Sequence, residues 1–358
     1  MGKQFRILTI NTGSTSTKIS VFDDENEVFS EVIRHSNEEL ERFETIYEQF
    51  EFRKDMICKA LKEKGIDLNT LDAVSGRGGN MKPVVGGTYI VNDAMLEDLK
   101  VGVMGQHASN LGGIVAHAIA SPLNIKSYVV DPVVVDELEE LARLSGLPGI
   151  NRKSKDHPLN QKATARLAAK ELGSTYEQLN FIVAHMGGGI SVGVHKKGKI
   201  VDVNNSLDGD GPYTPERAGS LPTGSLISMC FSGQYTEQEI RKKIVGGGGL
   251  VAYLGTNDGR EVARRIKAGD EEARLVFEGM AYQIAKEIGA CSTVLKGDVD
   301  AIILTGGLAY DEMLVGWIKE RVEFIAKVMV YPGEQEMIAL AQGVLRVVNG
   351  QEEAKIYK

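Results

Sequence analysis

The sequence opens with short apolar runs separated by polar turns. Residues 5–10 form an apolar run long enough for a buried strand, and residues 18–22 and 27–32 have the composition of two further strands. These runs predict an antiparallel meander of three strands. The same order of strand, glycine turn, strand, turn and strand recurs over residues 181–203. A repeat of this length predicts two similar domains and not a solenoid.

Apolar residues at helical spacing lie between and after the two meanders. They predict six helices, over residues 38–64, 93–100, 109–120, 160–172, 269–295 and 333–349. Short apolar runs predict buried strands at residues 71–74, 127–130 and 301–304. Strands that alternate with helices place the chain in the α/β class. We predict one domain from residues 1–155 together with 334–358, closed by the last helix, and a second from residues 156–333.

The composition argues against several classes of protein. The 358 residues are 42% hydrophobic and 25% charged, which is ordinary for a globular protein. Forty-nine acidic residues against 41 Lys and Arg give a net charge of −8, so we expect no nucleic-acid partner. No run approaches the roughly 20 apolar residues of a membrane span. Three scattered cysteines, Cys58, Cys230 and Cys291, favour a reducing compartment and predict a cytoplasmic protein.

The first glycine-rich turn offers the groups that hold a phosphate. A tight turn at Gly13 presents backbone N–H groups, Ser14 and Ser16 add hydroxyls, and Lys18 adds a positive charge. The motif is not a P-loop, because GxxxxGK[ST] is missing and a strand, not a helix, is predicted to follow. On this motif alone, a plain polar hairpin loop is an equal alternative.

A second glycine-rich turn follows the first strand of the second meander. Consecutive glycines after a buried strand answer a steric need, which is either the close passage of a phosphate chain or a tight crossing of strands. Two further glycine clusters suit the ribose and phosphates of a nucleotide, with simple turns as the alternative. The residues concerned are His185, Gly187, Gly188 and Gly189 in the turn, and Gly248, Gly306 and Gly307 in the two clusters.

Dispersed charged residues could add catalytic chemistry. Arg77 and Arg217 lie close to glycines, so each guanidinium could reach a carboxylate or phosphate without obstruction. Asp131 follows a predicted strand, where the carboxyl edge of a sheet would present it to a site, and it could hold Mg²⁺ through water. His157 is a further candidate. Taken singly, each of these is more often a surface residue.

The sequence resembles the acetate kinase family in both glycine-rich turns. Residues 11–18 resemble the family's N-terminal signature, and residues 184–192 resemble its second signature. Residues 203–219 and 331–337 are similar to the butyrate-acting branch of the family in particular. The resemblance covers essentially the whole chain. It implies the acetate and sugar kinase, heat-shock ATPase and actin superfamily, with two ribonuclease H-like domains and an active site in the cleft between them.

The resemblance also implies roles for individual residues. Arg77 and Arg217 match the arginines that bind the acyl carboxylate and the transferring phosphoryl group. Asp131 matches the acidic residue near magnesium, with Asn11 as a second metal-side residue, and His157 matches the histidine that steadies the transferring phosphate. The implied ATP-binding residues are Asn11, Gly13, Ser14, Ser16 and Lys18 in the first turn, His185, Gly187, Gly188 and Gly189 in the second, and Gly248, Gly306 and Gly307 elsewhere.

The chain departs from the family at three places that bear on the site. Around His157, acetate kinases usually carry a histidine-glycine-threonine-serine-histidine run, whereas this chain reads Asp156-His157-Pro158-Leu159-Asn160. Acetate kinases carry a glutamate shortly after the third glycine pair, where this chain has Tyr310, which leaves Asp311 or Glu312 as its substitutes. Acetate kinases also have a valine that narrows the acyl pocket, whereas Gly78 and Gly79 follow Arg77 here. The two glycines predict a wider pocket, which suits an acid longer than acetate.

The implied reaction is direct transfer of the γ-phosphoryl group of ATP to the carboxylate of butyrate, with Mg²⁺ as cofactor. Acetate and isobutyrate are alternative acceptors. An actin- or chaperone-like ATPase would share both turns, and a sugar kinase would use Asp131 as a base, although the paired arginines favour a carboxylate. We expect ATP, ADP and a short-chain carboxylate as ligands, and the family commonly forms homo-oligomers.

Overall fold

The computed structural model describes residues 3–207 and 209–358. Contacts divide the chain into two compact units, one formed by residues up to Asp136 together with Gln335–Lys358 and the other by Glu137–Glu334. Residues 137–155, which we assigned to the first domain from the sequence, thus pack with the second unit. The reason is local pairing, since Lys162 Nζ lies 2.8 Å from a Glu137 carboxylate oxygen and Arg152 lies 2.8 Å from Asp202.

The strands of the described residues occur in both units. They are β1 (Arg6–Thr12), β2 (Ser16–Asp23), β3 (Asn26–Arg34), β4 (Ala73–Gly76), β5 (Thr88–Ile90), β6 (Lys126–Val130), β7 (Asn180–Met186), β8 (Ile190–Lys196), β9 (Lys199–Val203), β10 (Ala301–Gly306), β11 (Val328–Pro332) and β12 (Lys355–Ile356).

The α-helices connect and cover these strands. They are α1 (Asn37–Leu40), α2 (Gln49–Glu63), α3 (Asp93–Val101), α4 (Asn110–Ala120), α5 (Glu140–Arg143), α6 (Pro158–Glu171), α7 (Thr223–Cys230), α8 (Glu237–Ile244), α9 (Gly249–Leu254), α10 (Gly259–Lys267), α11 (Glu271–Val294), α12 (Glu312–Val322) and α13 (Glu336–Val348). Among the described residues, no helix is long and apolar enough to cross a membrane.

The two sheets repeat one topology. The first has the order β12-β5-β6-β4-β1-β2-β3 and the second the order β11-β10-β7-β8-β9. Each sheet contains an antiparallel meander, β1–β3 in the first and β7–β9 in the second. Parallel strands extend the sheet beside the first strand of each meander, namely β4 and then β6 beside β1, and β10 and then β11 beside β7. The predicted α/β class and the repeated meander are therefore confirmed.

The central strands are apolar because helices cover both of their faces. In β7, Ile182 and Ala184 face the core that contains α11, whereas Phe181 and Val183 face the core that contains α6. In the first unit, Leu8 packs with α2 and α4, and its neighbour Ile7 packs with α13 on the other face. Burial on both faces produces a continuous apolar run instead of an alternating one.

The prediction of one continuous helix over residues 38–64 is wrong in the middle of this range. Residues 38–64 form two helices, α1 and α2, with turns between them. A capping box between Ser36 and Glu39 starts α1, but the backbone N–H of Glu44 donates to the Glu48 carboxylate at 2.8 Å. Side chains that satisfy backbone N–H groups in this way favour turns over a continuous helix.

Candidate active site

The first unit gathers three predicted site residues at one sheet edge. In the parallel register Ile10 lies opposite Gly76 and Gly76 opposite Val129. Asn11, Arg77 and Asp131 therefore all lie at the carboxyl ends of neighbouring strands, which is where open α/β sheets bind ligands. Helix α4 approaches this edge closely, since a Cβ on Gly76 would lie 2.1 Å from the Gly112 carbonyl oxygen.

A glutamate that the sequence did not single out joins this group. Asn11 Nδ2 donates to Glu336 Oε2 at 2.6 Å, and Arg77 Nη1 lies 3.0 Å from the same oxygen and 3.3 Å from Asn11 Oδ1. Glu336 opens α13 and is 8% exposed. Residues 331–337 resemble the butyrate-acting branch of the family, but an acidic residue in the first turn of a helix is common, so nothing marked Glu336 itself as a site residue.

Asp131 follows β6 at the same sheet edge and is held there by a hydrogen bond. It is buried, its φ is +38°, and Oδ1 accepts from the Gly87 N–H at 2.7 Å. A non-glycine residue in this region of φ is costly and is often part of a functional site. Within residues 3–207 and 209–358, no three His, Cys, Asp or Glu side chains form a ready metal cage. The oxygen donors of Asn11, Glu336 and Asp131 nevertheless fit Mg²⁺, which uses one or two carboxylates and completes its shell with waters and phosphates.

The first glycine-rich turn connects β1 to β2. The Gly13 N–H donates to the Ser16 carbonyl at 2.8 Å, and Ser14 and Thr15 are exposed at the tip. Lys18 is the register partner of Asn11, so both lie on the same face of the hairpin. The turn thus places a hydroxyl-rich tip and a lysine beside Asn11.

The extra acyl space expected at Gly78 and Gly79 is absent. A Cβ on Gly78 would lie 2.4 Å from Pro132 Cβ, and a Cβ on Gly79 would lie 2.4 Å from the Asn110 Cα. Neighbouring chain fills the room that each missing side chain leaves. These glycines permit close packing, and the prediction that they widen an acyl pocket is wrong.

In the second unit, the second glycine-rich turn lies against Arg217. A Cβ on Gly189 would lie 2.2 Å from Arg217 Nη1, and Thr214 Oγ1 donates to the Gly188 carbonyl at 2.7 Å. Arg217 also donates to the Ser206 carbonyl. Gly189 therefore lacks a side chain because the Arg217 guanidinium occupies the space that a Cβ would need.

A cavity of about 680 Å³ opens beside this turn. This volume is within the usual range for small-molecule sites. Gly187, Gly188 and Gly307 contribute to its wall, and the remaining wall residues are Pro215, Glu216, Asn257, Asp258, Gly259, Arg260, Leu308, Tyr310, Asp311 and Glu334.

Two of the predicted nucleotide-binding glycines serve packing instead of lining this cavity. A Cβ on Gly306 would lie 2.5 Å from the Met186 carbonyl, and a Cβ on Gly248 would lie 2.4 Å from the Ala218 nitrogen. At the departure from the family pattern, Tyr310 is exposed, and the Asp311 side chain caps α12 by accepting from the Leu314 N–H.

The predicted histidines His157 and His185 stack on each other. Their ring centroids are 4.0 Å apart and the ring planes differ by 14°. His185 Nδ1 is 2.7 Å from Asn160 Oδ1, and His157 Nδ1 is 2.8 Å from Ser191 Oγ. Ser191 is in turn the register partner of His185 across β7 and β8.

A buried chain of hydrogen bonds leads from Tyr176 to His157. Its distances are 2.7 Å from Tyr176 Oη to His195 Nδ1, 2.9 Å from His195 Nε2 to Gln161 Oε1, 2.7 Å from Gln161 Nε2 to Ser191 Oγ and 2.8 Å from Ser191 Oγ to His157 Nδ1. The sequence did carry a signal here, since Ser191, Gly193 and His195 alternate along β8 with the apolar Ile190, Val192 and Val194.

The orientation of the Gln161 amide sets the direction of the chain. Its nitrogen lies 3.5 Å from the Ser191 carbonyl oxygen as well as near the hydroxyl, whereas its oxygen lies against Gly193. His195 must then donate from Nε2, and Tyr176 donates to Nδ1. Since Gln161 donates to Ser191, the hydroxyl proton of Ser191 can go to His157 Nδ1. In the arrangement in which Ser191 donates to Nδ1, a neutral His157 carries its own proton on Nε2.

Burial controls the charges around this chain. Desolvation and the neighbouring cations Lys162 and Arg166 hold the pKa of His195 well below its usual range, so His195 is neutral. Burial also raises the pKa of Asp156, next to His157 in sequence, to about 7. The electrostatics thus keep the interior end of the chain uncharged.

Comparisons with known proteins identify the family of this chain. The family model that matches residues 148–326 is described as the acetokinase family. "Probable butyrate kinase" of Clostridium botulinum (strain Alaska E43 / Type E3) is 61% identical over 353 residues, which are 99% of this chain and 99% of the relative. "Butyrate kinase 2" of Clostridium acetobutylicum is 59% identical over 355 residues, which are 99% of this chain and 100% of the relative. The chain belongs to the acetokinase family.

Solved structures of acetokinases share the fold. The acetate kinase of Porphyromonas gingivalis has a TM-score of 0.78 at 20% identity. The superposition covers 96% of this chain and 100% of the acetate kinase chain. The acetate kinase of Entamoeba histolytica has a TM-score of 0.75 at 18% identity, with coverages of 94% and 98%. The fold implied by the sequence motifs is confirmed.

Replacement of Gly189 by Ala should inactivate this acetokinase without unfolding it. The new Cβ would meet the far end of a flexible side chain, so the Arg217 guanidinium moves and the backbone stays. We expect a loss of phosphoryl transfer comparable with that of Arg217→Ala, about 10³-fold. The measurement is the rate of acyl phosphate formation alongside thermal unfolding. Gly316→Ala, in open space on α12, is the control. Full activity in Gly189→Ala would show that the guanidinium position is unimportant.

The His157 tautomer can be read directly by NMR. The protein has six histidines, so labelling with ¹⁵N-histidine gives a simple spectrum. We expect His157 to carry its proton on Nε2. Gln161→Met removes the donor to Ser191 and should yield a mixture of the two tautomers. Thr164→Val deletes a buried hydroxyl of α6 that donates to the Asn160 and Gln161 carbonyls, and it should leave the tautomer unchanged. A wild-type His157 protonated on Nδ1 would contradict the deduced direction.

Proposed function

We propose that this chain is an ATP-dependent kinase of short-chain fatty acids that forms butyryl phosphate and ADP from butyrate and ATP. The observation that carries the proposal is the arginine against the second glycine-rich turn, in a chain 59–61% identical to relatives named butyrate kinases over nearly their full lengths. A carboxylate acceptor is already a competent nucleophile, so the reaction needs no general base.

The principal barrier is repulsion between two anions, the carboxylate and the triphosphate. In the proposal, Arg77 binds the carboxylate and Arg217 neutralises the phosphoryl group. His157 steadies that group through the proton on Nε2. Such charge stabilisation in a preorganised site accounts for most of the catalysis in phosphoryl transfer.

Each glycine-rich turn contributes to nucleotide binding in this proposal. The cavity lined by Gly187, Gly188 and Gly307 takes the adenosine side, and the turn at Gly13 takes the terminal phosphates. Asn11, Asp131 and Glu336 would hold Mg²⁺, which when bound would lower the negative charge of the phosphates. A cytoplasmic location and self-association remain predictions.

A panel of acids tests the proposed function. Purified protein with ATP, Mg²⁺ and hydroxylamine should yield the hydroxamate of butyrate, and kcat/KM should exceed that for acetate because each methylene in a fitted pocket contributes about tenfold or more. Isobutyrate measures the tolerance of branching. Wild-type protein without acid is the control for simple ATPase activity. Hydrolysis of ATP that is independent of every acid would instead indicate an ATPase.

A further inference from the structure

Arg53 is a fully buried arginine that lies behind the first glycine-rich turn. It is 0% exposed on α2. Its guanidinium donates to the carbonyl oxygens of Gly13 at 2.8 Å, Ser14 at 2.9 Å and Ser16 at 3.2 Å. It also donates to the hydroxyl of Thr17 and the side-chain oxygen of Gln49. Nearly the whole turn is thus attached to one side chain.

The charge of Arg53 is not cancelled by a carboxylate. None of the described residues offers it an acidic partner within ion-pair distance, and its ligands are neutral oxygens. Burial lowers the pKa of Arg53 to about 10, so the group stays protonated at neutral pH. Burial first, and then the charge of Arg53, lower the pKa of the adjacent His35 to about 4. One uncompensated positive charge therefore lies directly behind the turn.

The same contacts orient the peptide groups of the turn. In a trans peptide the C=O and N–H bonds point in opposite directions. Because the carbonyls of Gly13 and Ser14 point at Arg53, the N–H groups of Ser14 and Thr15 point away from it, at the exposed tip. Successive N–H groups that converge on one side form an anion-binding concavity.

We propose that Arg53 is the positioning residue of the first phosphate-binding turn. It fixes the Ser14 and Thr15 N–H groups toward the terminal phosphates of ATP and adds a long-range positive potential behind them. This inference deepens the proposed function, on which it rests for the identity of the ligand. An arginine that served only to fasten the hairpin to α2 would affect stability but not the preference for phosphates.

The test compares the affinities for ATP and adenosine, each measured by calorimetry without any acid. In Arg53→Gln we expect the Kd of Mg-ATP to rise at least about tenfold and the Kd of adenosine to stay within about twofold, since loss of a charged hydrogen-bonding group has effects of this size. Arg53→Lys keeps the charge without the planar fork and should lose about threefold or more in ATP affinity. It serves as the test if the Gln variant does not fold.

The matched control is Ile57→Ala, one helical turn further along the buried face of α2. It should lower the melting temperature without changing the ratio of ATP to adenosine affinity. The proposal is overturned if the folded Arg53 variants bind ATP as tightly as wild type, or if Ile57→Ala loses the preference equally. A wild-type protein that prefers ATP to adenosine but makes no butyryl phosphate would overturn the proposed function and leave the role of Arg53 intact.

Discussion

An arginine guanidinium lies against each of the two glycine-rich turns, and in the proposed function the chemistry depends on how those cations are held. Arg53 donates to the carbonyl oxygens of Gly13, Ser14 and Ser16. Arg217 donates to the Ser206 carbonyl, and its guanidinium fills the space beside Gly189. At Arg53, carbonyl dipoles stabilise the cation without neutralising it, as a carboxylate would. Positive potential is what a site that brings two anions together requires.

The repeated sheet explains why the turns lie where they do. Each turn follows the first strand of a meander, β1 or β7. On the side away from the meander, this strand pairs with a parallel strand, β4 or β10. Groups at the ends of parallel strands share one edge, so Asn11 and Arg77 meet in one unit and the 187–189 turn lies beside Gly306 in the other. Close packing completes this arrangement, since Gly76 and Gly306 admit backbone where any side chain would collide.

Periodicity and turn composition predicted the fold class, both meanders and the residues at the strand ends. Side chains whose role depends on a distant element were not predictable in this way. Glu336 becomes a partner of Asn11 only because α13 packs on the first sheet, 325 residues along the chain. Arg53 could have been found, since it shares the apolar face of its helix with Ile57 and Leu61. Gly78 and Gly79 were misjudged because an absent side chain does not show whether the space is open or filled.

The fate of the carboxylate oxygen tests the central claim, direct phosphoryl transfer to the acid, most directly. Butyrate labelled with ¹⁸O in its carboxylate would be incubated with the protein, Mg²⁺ and ATP, and the acyl phosphate examined by ³¹P NMR. Direct attack predicts that phosphorus in butyryl phosphate is bonded to one labelled oxygen, which shifts its resonance. Labelled acid that yields only unlabelled inorganic phosphate, with no acyl phosphate, would contradict the account.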